Sequence, residues 1–225
     1  ENVKISNRKY KLEIGMVAHR HLRDNDIVLL NRQPTLHKGS MISMNIVVRP
    51  HKTIRMNLSI CKSFNADFDG DEMNIHVPQG LESQAELQYL SSAKQNLISP
   101  QSSKPNLAIV QDSLLGAYRM TLGTQVINRN DFFSIAYRLD LKVDVTKRIQ
   151  EIRRVMKLKN KPVKSYTGKG IISLFLPPDL NYECTNNADP TEPTVKIYKG
   201  VLYEGSLDKL LLGSSHFSLI QLINK

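Results

Sequence analysis

The sequence has no tryptophan, and aromatic residues make up only 6% of it. Rings this sparse argue against a platform on which single-stranded bases stack. Only two cysteines occur, Cys61 and Cys184, and they lie far apart. They form neither a disulfide framework nor a metal-ligand spacing, and read as free thiols of a reducing compartment. No apolar run approaches the roughly 20 residues that a bilayer span requires, so no membrane partner is expected. Internal repeats and low-complexity tracts are also missing. Glu1-Asn2-Val3-Lys4 does not open as a signal peptide, and Ser218 to Lys225 stops inside an apolar pattern. The chain is therefore expected to be a piece of a longer one.

Acidic residues are in deficit, 21 against 31 basic, for a net charge of +10. That balance favours an anionic partner such as nucleic acid. With 225 residues, 40% of them hydrophobic, the chain can bury a core as one large domain or two small ones. The pattern implies an α+β protein. Short β-prone runs occupy Ile27–Leu30, Ile42–Val48 and Arg55–Ile60, broken by Pro34, Gly39 and Pro50. A helix is expected over Glu82–Ser91. The polar, proline-bounded loop Ser99–Pro105 then changes the texture, and the domain boundary is placed just before it. Beyond it, helices are expected at Ile109–Tyr118, from an Asp131 cap through Arg138, and around Val145, Ile149, Ile152 and Met156. Thr194–Tyr203 reads as a strand pair turning near Lys199–Gly200.

Against this basic background stands Asn65-Ala66-Asp67-Phe68-Asp69-Gly70-Asp71-Glu72-Met73-Asn74, with four acids and no Lys or Arg. On an extended strand Asp67, Asp69 and Asp71 would be spread at intervals of roughly 6.6 Å. To converge, the backbone must curl, and Gly70 has the freedom for that. Converged carboxylates repel one another, and a divalent cation removes the repulsion; a few hard oxygen ligands suit Mg²⁺. Three other readings are weighed, and two of them stay open. The segment could be a solvated acidic turn. A calcium EF-hand aligned on Gly70 would place His76 where a bidentate acid belongs, and no helix-forming segment immediately precedes the loop, so that reading fails. A haloacid-dehalogenase-type phosphotransferase would use Asp67 and Asp69, but wants an apolar strand before them, whereas Cys61–Asn65 is largely polar.

The acidic run resembles the metal-binding signature of the largest subunit of multisubunit DNA-directed RNA polymerases. Upstream, Asn31-Arg32-Gln33-Pro34-Thr35-Leu36-His37-Lys38 is similar to a second signature of that family. Downstream, Ser99–Pro105 and Gln111-Asp112 resemble the start of its pore-lining region. The likeness is to the polymerase II type, cellular or from a large DNA virus; the stretch 138–166 departs from the family wording. The resemblance implies a partial double-psi β-barrel over 1–95 and most of a mixed α/β pore domain over 96–225. It implies DNA-templated addition of ribonucleoside triphosphates to the RNA 3′ end, active only within the full assembly. Asp67, Asp69 and Asp71 would be catalytic as ligands of a resident Mg²⁺, and a second Mg²⁺ would arrive with the nucleotide. Arg32 and Asn65 would contact the ribose hydroxyls, and Pro34 would stand beside the RNA end as a rigid wall. Implied partners are the second-largest subunit, further polymerase subunits, the DNA template, the RNA transcript and the nucleotides. Implied locations are the nucleus, or a viral factory or virion.

Two basic stretches remain. Between Arg20 and Lys62, eight Lys or Arg oppose only Asp24 and Asp26, which suits contact with phosphates. From Lys147 to Lys169, nine oppose Glu151 alone. These read first as a solvated helix face, and second as a nucleotide-channel contact. A plain basic nucleic-acid-binding module with an incidental acidic turn is the non-enzymatic alternative.

Overall fold

The computed structural model describes residues 13–123, 125–139, 144–163, 166–185, 194–215 and 218–223. Its architecture is α+β, with two small antiparallel sheets. The first sheet joins β1 (Ile27–Asn31), β2 (Met41–Asn45) and β3 (Asn74–His76) in the order β2-β1-β3. Val28 and Leu30 alternate to the buried face, and Leu30 pairs with Ile42 on one side and Ile75 on the other. Leu30, Ile42, Ile60 and Phe64 form the small core beneath this sheet.

The expected third strand at Arg55–Ile60 is not one. Asn57 accepts a bond from the Ser59 amide at 2.9 Å and opens a 3₁₀ turn, Leu58–Ile60. That turn runs directly into α1 (Cys61–Phe64). Ile60 and Phe64 lie one helical turn apart and both are buried, so helical spacing wins over β-propensity. The second expected strand stops at Asn45, and Val47 and Val48 beyond it are exposed. α2 (Leu81–Tyr89) falls where expected, yet buries no residue.

The remaining elements are α3 (Gln111–Thr121), α4 (Arg129–Arg138), α5 (Val145–Leu158), α6 (Gly168–Phe175), β4 (Tyr182–Cys184), β5 (Val195–Tyr198), β6 (Val201–Glu204), α7 (Lys209–Leu212) and α8 (Leu219–Ile223). α3 starts later than expected because the Ile109 amide is bound to the Leu212 carbonyl at 3.2 Å, which keeps that residue out of the helix. α4 starts at Arg129 behind Asn128, so Asp131 sits in its first turn and is not the cap. There its charge still complements the positive end of the helix. α5 is the helix expected from its apolar spacing, capped by Asp144, which accepts from the Thr146 and Lys147 amides. The β5–β6 hairpin turns at Lys199 and Gly200, as expected. Both carry positive φ, the backbone of a tight hairpin turn.

α6 was not foreseen, because its Gly168-Lys169-Gly170 start has poor helix propensity. Thr167 offsets this by accepting from the Gly170 amide at 3.1 Å. The helix lies between two cores. One gathers Phe132, Ile149, Ile152, Ile171, Leu174 and Val201; the other gathers Leu176, Val195, Ile197, Leu202, Leu207 and Leu211. Close approach of α3 needs Gly168, where a Cβ would stand 1.9 Å from the Met120 carbonyl oxygen. Backbone cannot yield as a side chain can. Gly168→Ala should therefore cost at least about 1–3 kcal/mol, read as a lowered urea midpoint with an unchanged denaturant slope.

The expected solvated face of the basic stretch needs one correction. Lys147 is 80% exposed, and Arg153, Arg154 and Lys157 also face solvent. Arg148, however, is 4% exposed and lies inside.

Candidate functional site

Three features of the backbone shape the acidic loop. α1 ends on Asn65, whose φ of 48° and ψ of 41° are left-handed, a conformation that asparagine tolerates better than most residues. The Ala66 amide closes the turn on the Cys61 carbonyl at 2.9 Å. Gly70 then takes a φ of +116°, which side-chain-bearing residues rarely adopt. The Asp67 amide donates to the Asp71 carboxylate at 3.1 Å and draws the two ends of the loop together. The curl expected from the sequence is present: Asp67, Asp69 and Asp71 each offer a ligand oxygen, and these oxygens lie within 4.8 Å of one another.

Arg32 joins them from 39 residues away. Its Nε donates to Asp71 Oδ2 at 2.8 Å, and its Nη2 donates to Oδ1 at 3.1 Å. Its Nη1 reaches the Phe64 carbonyl at 3.4 Å, at the end of α1. The sheet explains this meeting. β1 and β3 are antiparallel with Asn31 opposite Asn74, so Arg32 and the acidic loop emerge at the same end.

The electrostatics divide the acids. Arg32 holds the Asp71 carboxyl below the usual carboxylate range, and Asp71 in turn raises the guanidinium. Asp69 is pushed up, first by its hydrogen bond with Asp67 and then by the charges of Asp67 and Asp71. One acid is thus paired with a fixed cation, and another stands in a negative field that favours its protonated form.

Of the other expected site residues, Asn65 stands exposed at the base of the loop, beside the acids. Pro34 lies in the exposed β1–β2 connection, two residues beyond Arg32 and after a cis peptide bond. In that connection His37 accepts from the Gly39 amide at 3.0 Å, and so serves the local turn. Glu72 and His76 are exposed, and His76 lies on β3 opposite Leu29. The grounds for two of these readings change. A helical turn, not an apolar strand, leads into Asp67, against a dehalogenase-type phosphotransferase. The expectation that no helix precedes the loop is wrong, but the EF-hand spacing still fails at His76.

The donor set fits magnesium. Around Mg²⁺ at 2.0–2.1 Å, neighbouring oxygens sit about 2.9 Å apart and opposite ones about 4.2 Å. The three acids offer oxygens within 4.8 Å of one another, near that spacing, with both oxygens of Asp71 engaged by Arg32.

Comparison with known proteins places these residues among relatives. Residues 1–93 match the family model described as RNA polymerase Rpb1, domain 2, and residues 96–225 match RNA polymerase Rpb1, domain 3. A probable DNA-directed RNA polymerase II subunit RPB1 homolog from Invertebrate iridescent virus 6 is 40% identical over 244 aligned residues, covering 100% of this chain and 22% of that protein. DNA-directed RNA polymerase II subunit RPB1-B of Trypanosoma brucei brucei is 41% identical, over 96% of this chain and 12% of that one. DNA-directed RNA polymerase subunit Rpo1N of Sulfolobus acidocaldarius is 38% identical, over 89% and 23%. The chain thus spans less than a quarter of the length of each.

Proposed function

The chain belongs to the Rpb1 family, the largest subunits of DNA-directed RNA polymerases, and we propose that its acidic loop is the catalytic magnesium centre of such an enzyme. The observation that carries this reading is the convergence of the Asp67, Asp69 and Asp71 oxygens within 4.8 Å. In the proposed reaction, the 3′-hydroxyl of a DNA-templated RNA attacks the α-phosphorus of a ribonucleoside triphosphate, and pyrophosphate leaves. Magnesium held by the three aspartates would supply Lewis-acid activation of the hydroxyl, with a second ion carried in by the triphosphate.

The chain's own part is positional and electrostatic. Gly70 and the Asp67–Asp71 bond set the curl that aims the carboxylates. No general base is required of this chain. Asn65, with an amide that both donates and accepts, would contact the ribose hydroxyls of the nucleotide. Pro34 would border the RNA end. We also assign the sheet β2-β1-β3 to one part of a double-psi β-barrel, and 96–225 to the pore domain. The barrel, and the rest of the active site, would be completed by other segments and subunits, the second-largest subunit above all. The exposed Val47, Val48, Ile75, Val77 and Leu81 around this sheet support that reading, because they offer apolar surface for such segments to cover.

The primary test is Asp69→Ala in the complete polymerase, with single-nucleotide extension as the measurement. Asn65 offers a second. Asn65→Gly keeps the left-handed backbone without strain and removes only the amide, so folding should be preserved. Discrimination between ribonucleoside and deoxyribonucleoside triphosphates should fall by roughly tenfold. Unchanged discrimination would reduce Asn65 to a helix terminator.

A further inference from the structure

The Arg32–Asp71 pair has more structure than a surface ion pair needs. Both Asp71 oxygens are engaged by the guanidinium, through Nε and Nη2. The arrangement is bidentate, the geometry that makes Arg–carboxylate bonds strong and directional. Arg32 is also fixed from behind by the Phe64 carbonyl. Only 20% of its side chain and 21% of that of Asp71 remain exposed. Its charge acts on Asp67 and Asp69 as well. A cation is thus already built into the triad, covalently attached to the end of β1.

We infer that Arg32 is an internal counter-ion that competes with the divalent cation for Asp71, so that loading of the metal and release of the guanidinium are one coupled event. This rests on the proposed magnesium centre. Without the metal, Arg32 offsets the mutual repulsion of the acids, while Gly70 and the Asp67–Asp71 bond hold the curl. When the metal binds, Asp71 must give up part of its bidentate contact, and two cations then share one small site. The consequence is a metal affinity set below what three aspartates alone would give. The guanidinium is freed only when the metal is in place. Arg32 is a positioning residue in this role, because it acts through Asp71.

The inference fixes the sign of a measurement. Repulsion between a guanidinium and a divalent ion roughly 5 Å apart in water corresponds to about a tenfold change in affinity. Mn²⁺ binding to the complete polymerase, without nucleotide, can be followed by the loss of the free Mn²⁺ signal in electron paramagnetic resonance. Subtracting the binding seen with Asp69→Ala isolates the site. Arg32→Gln should bind Mn²⁺ about tenfold more tightly than wild type, and Arg32→Lys, which keeps the charge, should stay close to wild type. A merely structural role predicts the opposite, a loosened site that binds more weakly in both variants. Equal or weaker binding by Arg32→Gln, with an Asp69-dependent site still present in wild type, overturns the counter-ion and leaves the magnesium centre standing. Absence of any Asp69-dependent Mn²⁺ binding in wild type overturns both.

Discussion

Asp69→Ala in the complete polymerase should lower the rate of single-nucleotide addition by about a hundredfold to a thousandfold, the range seen when one preorganised electrostatic group is removed from an active site. Asp69 is the sharpest choice among the three acids. Asp71 is tied to Arg32, so its removal would also release a guanidinium. The Asp67 side chain is hydrogen-bonded to Asp69, so its removal would change the second acid as well. Asp69 is exposed and lies in the negative field of both neighbours.

Stability should not fall with activity. The Asp69 carboxyl is raised in the folded state, so the fold binds its proton more readily than the unfolded chain does. Stability from that source is present at low pH and is lost as pH rises through the raised value. At neutral pH, alanine removes a repelled charge and should leave the melting temperature unchanged or slightly higher. Glu72→Ala, an exposed neighbour outside the triad, should extend RNA close to the wild-type rate. Elongation at ordinary rates by Asp69→Ala would remove the basis for the assignment.

Arg148→Met should be strongly destabilising, by about 3–5 kcal/mol, because several buried carbonyls lose their donor at once. The Arg148 guanidinium lies at the junction of α5, α6 and the β5–β6 hairpin. It donates to the carbonyls of Ser173 at 3.2 Å, Leu176 at 3.2 Å, Lys199 at 3.3 Å and Gly200 at 3.1 Å. Nη1 pairs with Glu151 at 2.7 Å. Methionine would fill the space but leave buried carbonyls without donors, and each unmet group carries its own desolvation cost. Arg148→Lys should recover only part of the loss, because one ammonium lacks the planar fork that spans these acceptors. Arg154→Met, on the exposed side of the same helix, should stay within about 0.5 kcal/mol of wild type. Urea denaturation of the three variants measures this. A cost for Arg148→Met no larger than that for Arg154→Met would show that the carbonyls find other donors.

Arg148 also shows where sequence reading went short. It occupies the apolar stripe of α5, three residues after Val145 and one before Ile149. A charge at such a position is a sign of a buried partner. The excess of basic residues around it hid that sign and made the whole face read as solvated. α6 was missed for a related reason: two glycines at its start outweighed the Thr167 cap and the apolar run that follows. Arg55–Ile60 failed because its β-prone residues are also spaced to bury one side of a helical turn.

The sequence by itself determined the acidic loop. Alternating aspartates with glycine among them dictate that, once the chain curls, three carboxylates face a common point. That is a local matter of spacing and backbone freedom. It also determined α5, the β5–β6 hairpin and the α+β class, since each rests on periodicity within a few residues. What only the tertiary structure decided is which cation meets those acids. Arg32 reaches Asp71 because β1 and β3 pair with Asn31 opposite Asn74, and strand register is set by burial on the sheet's far side. A slip of one residue would turn Arg32 to the other face.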